Sequence, residues 1–295
     1  MADSILENVL DIEYYDYEEL PEWYKDNKYV SKGYRDWNRS CMYYFKSIFK
    51  WHNETLNIWS HLIATILFTL LSIYTFKYNY NIYLTYLGDI ITMSFFLFSC
   101  ILCFTLSSIM HCFYPKSEDS CNCLLLCDYY GIIFLILCSY NIFIYYLFYC
   151  NNLIQTYYYL IINSLALLCF IVIKLFNKKK YKLYKLLTCI IFILSIFVPI
   201  FHRYLYYKNE HPNEYIQEIK FYSISLGIYF LAFLFYVSKI PESLCYHKFN
   251  CVNYLTSHTI FHIIIVIATI TNYYGILNLH NLSKNIDCKN KTSFY

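Results

Sequence analysis

Residues 258–277 read HTIFHIIIVIATITNYYGIL, and the fold follows from that stretch. Twenty consecutive residues without an Asp, Glu, Lys or Arg are enough to cross a bilayer as a helix. The stretch also begins with two histidines four apart, His258 and His262, which a helix presents on one face. Six more stretches match it in length and apolarity: Leu56–Phe76, Ile90–Phe113, Tyr129–Tyr149, Ile154–Phe176, Leu186–Phe201 and Phe221–Ile240. The fifth is the shortest, and Pro199 near its end is expected to kink or stop it. Composition agrees, with 59% apolar or aromatic residues and 15% charged, against about 45–50% and 25% in a soluble domain. A soluble globular enzyme and a disordered chain are both excluded. A net charge of +3 and no basic groove argue against nucleic acid as a partner. The expected architecture is an all-α membrane protein, a seven-transmembrane helix bundle.

Lys and Arg set the orientation. Sixteen lie in the segment before span one and the loops after spans two, four and six, counting Lys174 and Lys239 with the loops they adjoin. Seven lie on the opposite side. This imbalance predicts a cytoplasmic N-terminus and an outside C-terminus, the reverse of a G-protein-coupled receptor. Met1–Glu22 carries eight acidic residues and no basic leader, so residues 1–39 read as an acidic, disordered tail and lead-in. Residues 40–52 read as an interfacial amphipathic helix or, equally, a helix packed on the bundle's cytoplasmic end, with Met42, Phe45 and Phe49 at helical spacing beside Lys46 and Lys50. The seven-span domain then covers residues 53–280, and 281–295 form an extracytoplasmic tail. The run Lys178-Lys179-Lys180 holds its loop on the inner side.

With 37 tyrosines in the chain, aromatic positions say little, and the weight falls on polar groups inside spans. In the predicted orientation His258 and His262 stand at the inner end of span seven. Span two ends at the same depth with Ser107-Ser108-Ile109-Met110-His111, and Asp128 precedes the apolar run of span three. Ionisable residues within spans are costly and normally face a functional interior. Three imidazoles with an open fourth position make a zinc site of catalytic type, whose bound water has a pKa near 7. Asp128 would ligate the metal or act as base on that water, and Ser107 sits one turn before His111 on the same face. His52 and His61 could be functional but read better as interfacial hydrogen-bonding residues, while His202, His211, His247 and His280 are not assigned to the metal. Cys112, Cys121, Cys123 and Cys127 read as free thiols in a reducing compartment or as palmitoylation sites near the membrane. Cys150 and Cys288, both outside in this orientation, are the candidates for a disulfide.

These residues resemble a known family. Gly33-Tyr34-Arg35, Asn53-Glu54-Thr55 and Asn57-Ile58-Trp59-Ser60-His61 are similar to the start of the first span in the progestin and adipoQ receptor family. Ser107 to His111, Ser117-Glu118 and Asp128-Tyr129-Tyr130-Gly131-Ile132 resemble its second and third spans. Tyr236, Lys239-Ile240-Pro241-Glu242 and Ser257-His258-Thr259-Ile260-Phe261-His262 resemble its sixth-to-seventh-span signature. The similarity runs from about Gly33 to Gly275 and sits nearest the adiponectin receptor branch, in a superfamily that includes the haemolysin III group. It implies seven helices with the N-terminus inside, and zinc on His111, His258 and His262. It also implies Asp128 against the zinc-bound water, with Ser107 nearby. Departures include Pro115-Lys116 for a Cys-His, Leu56 for a glycine, Thr259 for a glutamine and Asn250 for an aspartate.

The resemblance implies, as the expected function, hydrolysis of the amide bond of a ceramide-like lipid, releasing a fatty acid, by a zinc-activated water. Asp128 would be the base and Ser107 an oxyanion donor. The alternative is a non-enzymatic receptor or lipid sensor with a structural zinc and an extracellular ligand. A channel is disfavoured because no span carries a polar stripe along its length. The plasma membrane is the family-based location, with an internal membrane as the alternative.

Overall fold

A computed structural model describes residues 12–80, 85–176, 178, 181–207, 212–245 and 255–284. Residues 1–11, Lys179 and Lys180, His211, His247, Asn250 and the C-terminal segment with Cys288 lie outside them.

Seven helical segments among the described residues are long and apolar enough to cross a membrane, from Thr55–Asn79 to Ser257–Ser283. They comprise α2 (Thr55–Tyr74), α3 (Leu87–Phe113), α4 (Glu118–Leu147), α5 (Asn152–Leu175), the pair α6 (Lys182–Leu194) and α7 (Phe197–Tyr207), α8 (Pro212–Ser238) and α10 (Ser257–Ser283). On α2, His61, Ala64 and Phe68 turn inward at helical spacing, while Ile63, Leu70 and Ile73 stay exposed. Such an apolar outer surface is tolerable only where lipid replaces water. The chain is an integral, multi-pass membrane protein.

Capping chemistry sets several helix starts. The Ser117 hydroxyl accepts from the Ser120 amide, and Glu118 and Asp119 occupy the first turn of α4. The helix therefore begins eleven residues before Tyr129, where the apolar run starts. Asp128 consequently stands inside α4 and not ahead of it. Asn151 and Thr256 cap α5 and α10 in the same way. In the fifth span the helix breaks at Ser195–Ile196, because the Pro199 ring would collide with the carbonyl four residues earlier, at Ser195. The Ser195 hydroxyl donates to the Phe192 carbonyl there, at 2.7 Å.

The lead-in differs from the expected disordered tail. Tyr14–Tyr15 (β1) pairs antiparallel with Tyr34–Arg35 (β2), Gly33 turning the chain at φ 85°. Leu20, Tyr24, Val30 and Tyr34 then form a small core with Met110, Tyr114 and Cys121. Acidic composition argued for disorder, but these four apolar anchors have a surface to bury against that the tail by itself lacks. Within residues 40–52 lies the short helix α1 (Cys41–Ser47), with Tyr44 and Ser47 buried and Met42, Phe45 and Phe49 exposed. The short helix α9 (Glu242–Cys245) precedes α10.

The main core lies between the spans, with Phe68, Phe96, Phe104 and Phe143 at its centre. α10 packs along α8 and α2, and α3 lies between α2 and α4. The starts of α2, α4 and α10 and the end of α3 thus meet at one end of the bundle.

Candidate metal centre

At that end His111, His258 and His262 present ring nitrogens that all lie within 4.8 Å of one another. The Nε2 atoms of His111 and His258 are 3.2 Å apart. Two nitrogens bound to one tetrahedral zinc at about 2.0–2.1 Å would stand roughly 3.3 Å apart, so this edge of the triangle already has the right length. No other His, Cys, Asp or Glu among the described residues joins the group.

The free lone pairs point the same way. His111 Nδ1 is engaged with Glu54 Oε2 at 2.7 Å, which leaves Nε2 as its ligand atom. His262 Nδ1 faces the Ser60 hydroxyl at 3.2 Å and the Asn57 carbonyl at 3.3 Å, which again leaves Nε2. A ligand histidine whose second nitrogen is tied to a carboxylate or carbonyl is held in one tautomer and orientation. The donor set therefore fits a zinc-like divalent ion with three protein ligands.

Around the triangle runs a chain of hydrogen bonds. Thr259 Oγ1 donates to Asn57 Oδ1 at 2.7 Å, and Asn57 Nδ2 donates to Glu54 Oε2 at 2.7 Å. Tyr114 adds a bond to Glu54 Oε1 at 3.0 Å. Thr259, which departs from the family's glutamine, thus links α10 through α2 to the His111 ring. Burial works to raise the Glu54 carboxyl, but the His111 imidazole and the converging donors hold it well below the ordinary range, at about 2. Arg35, fully buried, donates to the His111 and Cys112 carbonyls at 2.7 and 3.0 Å and to Ser47 Oγ at 2.7 Å. It satisfies carbonyls that the end of α3 would otherwise leave bare. Glu242 fixes the start of α10, accepting from the Ser257 amide at 2.7 Å and from Asn27 Nδ2 at 2.9 Å.

Asp128 lies outside the ligand group but lines the same cavity, as does Ser107. The cavity, of about 310 Å³, runs from Asp26 and Asn27 under the folded lead-in, past the three histidines, to Tyr222 and Asn272 deep in the bundle. Its lining is mostly apolar with a small number of polar groups, the form of a small-molecule binding site.

The other sequence candidates sort clearly. His52 is buried and accepts the Glu54 amide on Nδ1 at 3.1 Å. His61 makes no interfacial hydrogen bond; it stacks on His262 inside the cavity wall. His202 pairs with the Tyr158 hydroxyl, and His280 with that of Tyr146, both far along the bundle. Cys112, Cys121, Cys123 and Cys127 are free thiols. Cys150 is in a disulfide, and Cys288 lies outside the described residues. Sequence reasoning quoted Glu54, Asn57 and Ser60 as motif letters without a role. Their polarity at the mouth of an apolar span was the available signal.

Comparison with known proteins adds the last evidence. The haemolysin-III-related family profile matches residues 49–273. The chain is 31% identical over 273 residues to the ADIPOR-like receptor IZH2 of Saccharomyces cerevisiae, covering 91% of this chain and 84% of that protein. It is 30% identical over 275 residues to the progestin and adipoQ receptor-like protein 1 of Caenorhabditis elegans, covering 92% of this chain and 62% of that longer protein. It is 32% identical over 269 residues to the human progestin and adipoQ receptor family member 3, covering 87% and 82%.

Proposed function

The chain belongs to the progestin and adipoQ receptor family, within the haemolysin-III-related group, and from that premise we propose that it is a zinc-dependent hydrolase of the amide bond in ceramide-like lipids. One observation carries the reading: three histidine donors converge, while the carboxylate that would close a structural four-ligand site stands apart and faces the mostly apolar cavity. His111, His258 and His262 would hold the ion. When bound, zinc supplies Lewis-acid polarisation of the amide carbonyl and a water acidified to a pKa near 7.

The remaining work falls to this chain's own groups. Asp128 accepts the proton of the attacking water and returns it to the leaving amine as the C–N bond breaks and the C–O bond forms. Ser107 orients Asp128 by donating to its carboxylate. Once Asp128 is protonated and a weaker acceptor, the same hydroxyl donates to the oxyanion, a contribution of about 2.7–4 kcal/mol. The apolar chamber takes the acyl chain, and the products are a fatty acid and a long-chain amine. The N-terminus lies in the cytoplasm, which the charge count and the Cys150 disulfide both support, since disulfides persist on the oxidising side. The plasma membrane is its location.

Asp128→Asn tests the reading against the receptor alternative with structural zinc. Purified in detergent, the variant should keep about one zinc per chain and an unchanged melting temperature. It should lose ceramide turnover by at least about 100-fold. His258→Ala should lose both zinc and turnover. Normal turnover in Asp128→Asn, or loss of zinc from it, would overturn the mechanism.

A further inference from the structure

His61 stands one helical turn beyond Asn57 on α2, with its ring flat against His262, the centroids 3.7 Å apart and the planes at 4°. Phe104 packs against it at 5.0 Å. The residue is 5% exposed, lines the cavity, and neither ring nitrogen meets a hydrogen-bond partner among the described residues. Its nitrogens are also not part of the three-histidine group.

Packing does not account for a histidine here. A phenylalanine would stack on His262 equally well, without two polar atoms left bare in an apolar wall. Buried polar groups are nearly always paired, and each exception calls for its own explanation, a catalytic role among them. A neutral imidazole offers one donor and one acceptor. An amide or hydroxyl, which both donates and accepts, matches that pair. A carboxylate only accepts, so it matches one nitrogen of the two.

Resting on the hydrolase reading above, we propose that His61 is the residue that recognises the intact N-acyl lipid. Its ring nitrogens hydrogen-bond the amide and hydroxyl groups beside the scissile bond, and its face holds the His262 ring in place. His61 therefore favours substrate over the fatty-acid product.

The test measures binding of a fluorescent short-chain ceramide and of a matching fluorescent fatty acid to the zinc-loaded, full-length protein. His61→Phe keeps the stack and removes both nitrogens. It should retain zinc and its melting temperature, and lose ceramide affinity roughly tenfold while fatty-acid affinity moves less than about threefold. His61→Gln keeps a donor and an acceptor and should retain most of the ceramide affinity. Wild-type ceramide affinity in His61→Phe would overturn the proposal. So would a parallel loss for both lipids, or loss of zinc, which would place His61 among the ligands. If His61→Phe does not fold, His61→Gln decides: a folded, zinc-loaded protein with tenfold weaker ceramide binding would refute it. Failure of the underlying hydrolase reading looks different, because the wild-type protein would then load zinc and bind ceramide yet turn none of it over.

Discussion

Glu54 holds the tautomer of His111, so Glu54→Gln should weaken zinc binding without removing any ligand. Two donors meet Oε2, His111 Nδ1 and Asn57 Nδ2, each at 2.7 Å. Two more meet Oε1, Tyr114 at 3.0 Å and Asn53 at 3.3 Å. Glutamine has one oxygen for these four. If its NH₂ faces His111, the ring must move its proton to Nε2, the atom that faces His258, and that atom ceases to be a ligand. If its oxygen faces His111, Tyr114 and Asn53 lose their acceptor and the negative charge beside the ring is gone. Loss of such an outer carboxylate typically weakens metal affinity about 10–100-fold, equivalent to about 1.4–2.7 kcal/mol. The assay is competition for zinc with a chromophoric chelator in detergent at neutral pH, wild type against variant. Affinity within about threefold of wild type, in a folded variant, would refute the orienting role.

Three further outcomes are expected. Arg35→Leu leaves the carbonyls of His111 and Cys112 and the Ser47 hydroxyl without their donor and should cost roughly 2–4 kcal/mol of stability, read as a lowered melting temperature. His52 is held neutral, its pKa pushed down to about 2 by burial first and then by the Arg35 charge. The unfolded chain takes up that proton below about pH 6.5, so the folded state loses about 2 kcal/mol on this account by pH 5. His52→Gln should remove that part of the acid slope, and parallel slopes in the two proteins would contradict it. A Cβ at Gly275 would sit 2.7 Å from Phe221 Cβ, whereas one at Gly227 would meet nothing within 4 Å. Gly275→Ala should therefore lower the melting temperature by an overpacking cost of about 1–3 kcal/mol. Gly227→Ala should be neutral or stabilising.

The spans were legible because crossing a membrane requires about 20 apolar residues in a row, a property of each stretch by itself. Two of the three proposed metal ligands were legible for a similarly local reason, since His258 and His262 share a helix face. His111 was recoverable only by combining span direction with depth. The start of the third helix was misplaced because apolarity marks where lipid begins, while the Ser117 cap and the acidic first turn decide where the helix begins. The folded lead-in was missed because its composition is acidic, and its few apolar anchors acquire a partner only when Met110 and Tyr114 are placed beneath them.

By itself, then, the sequence determined that the chain is a seven-span membrane protein with imidazoles gathered at one end. Composition and periodicity impose both on any chain that must satisfy its backbone in lipid and avoid stranded polar groups. Tertiary structure decided everything that depends on which faces of α2, α3, α4 and α10 meet. That includes the carboxylate that aims His111, the hydroxyl and carbonyl that aim His262, the separation of Asp128 from the ligands, and the partnerless nitrogens of His61. The contacts that aim His111 and His262 join residues 57 and 205 positions apart, and no local pattern in the chain encodes the angle at which two helices pack.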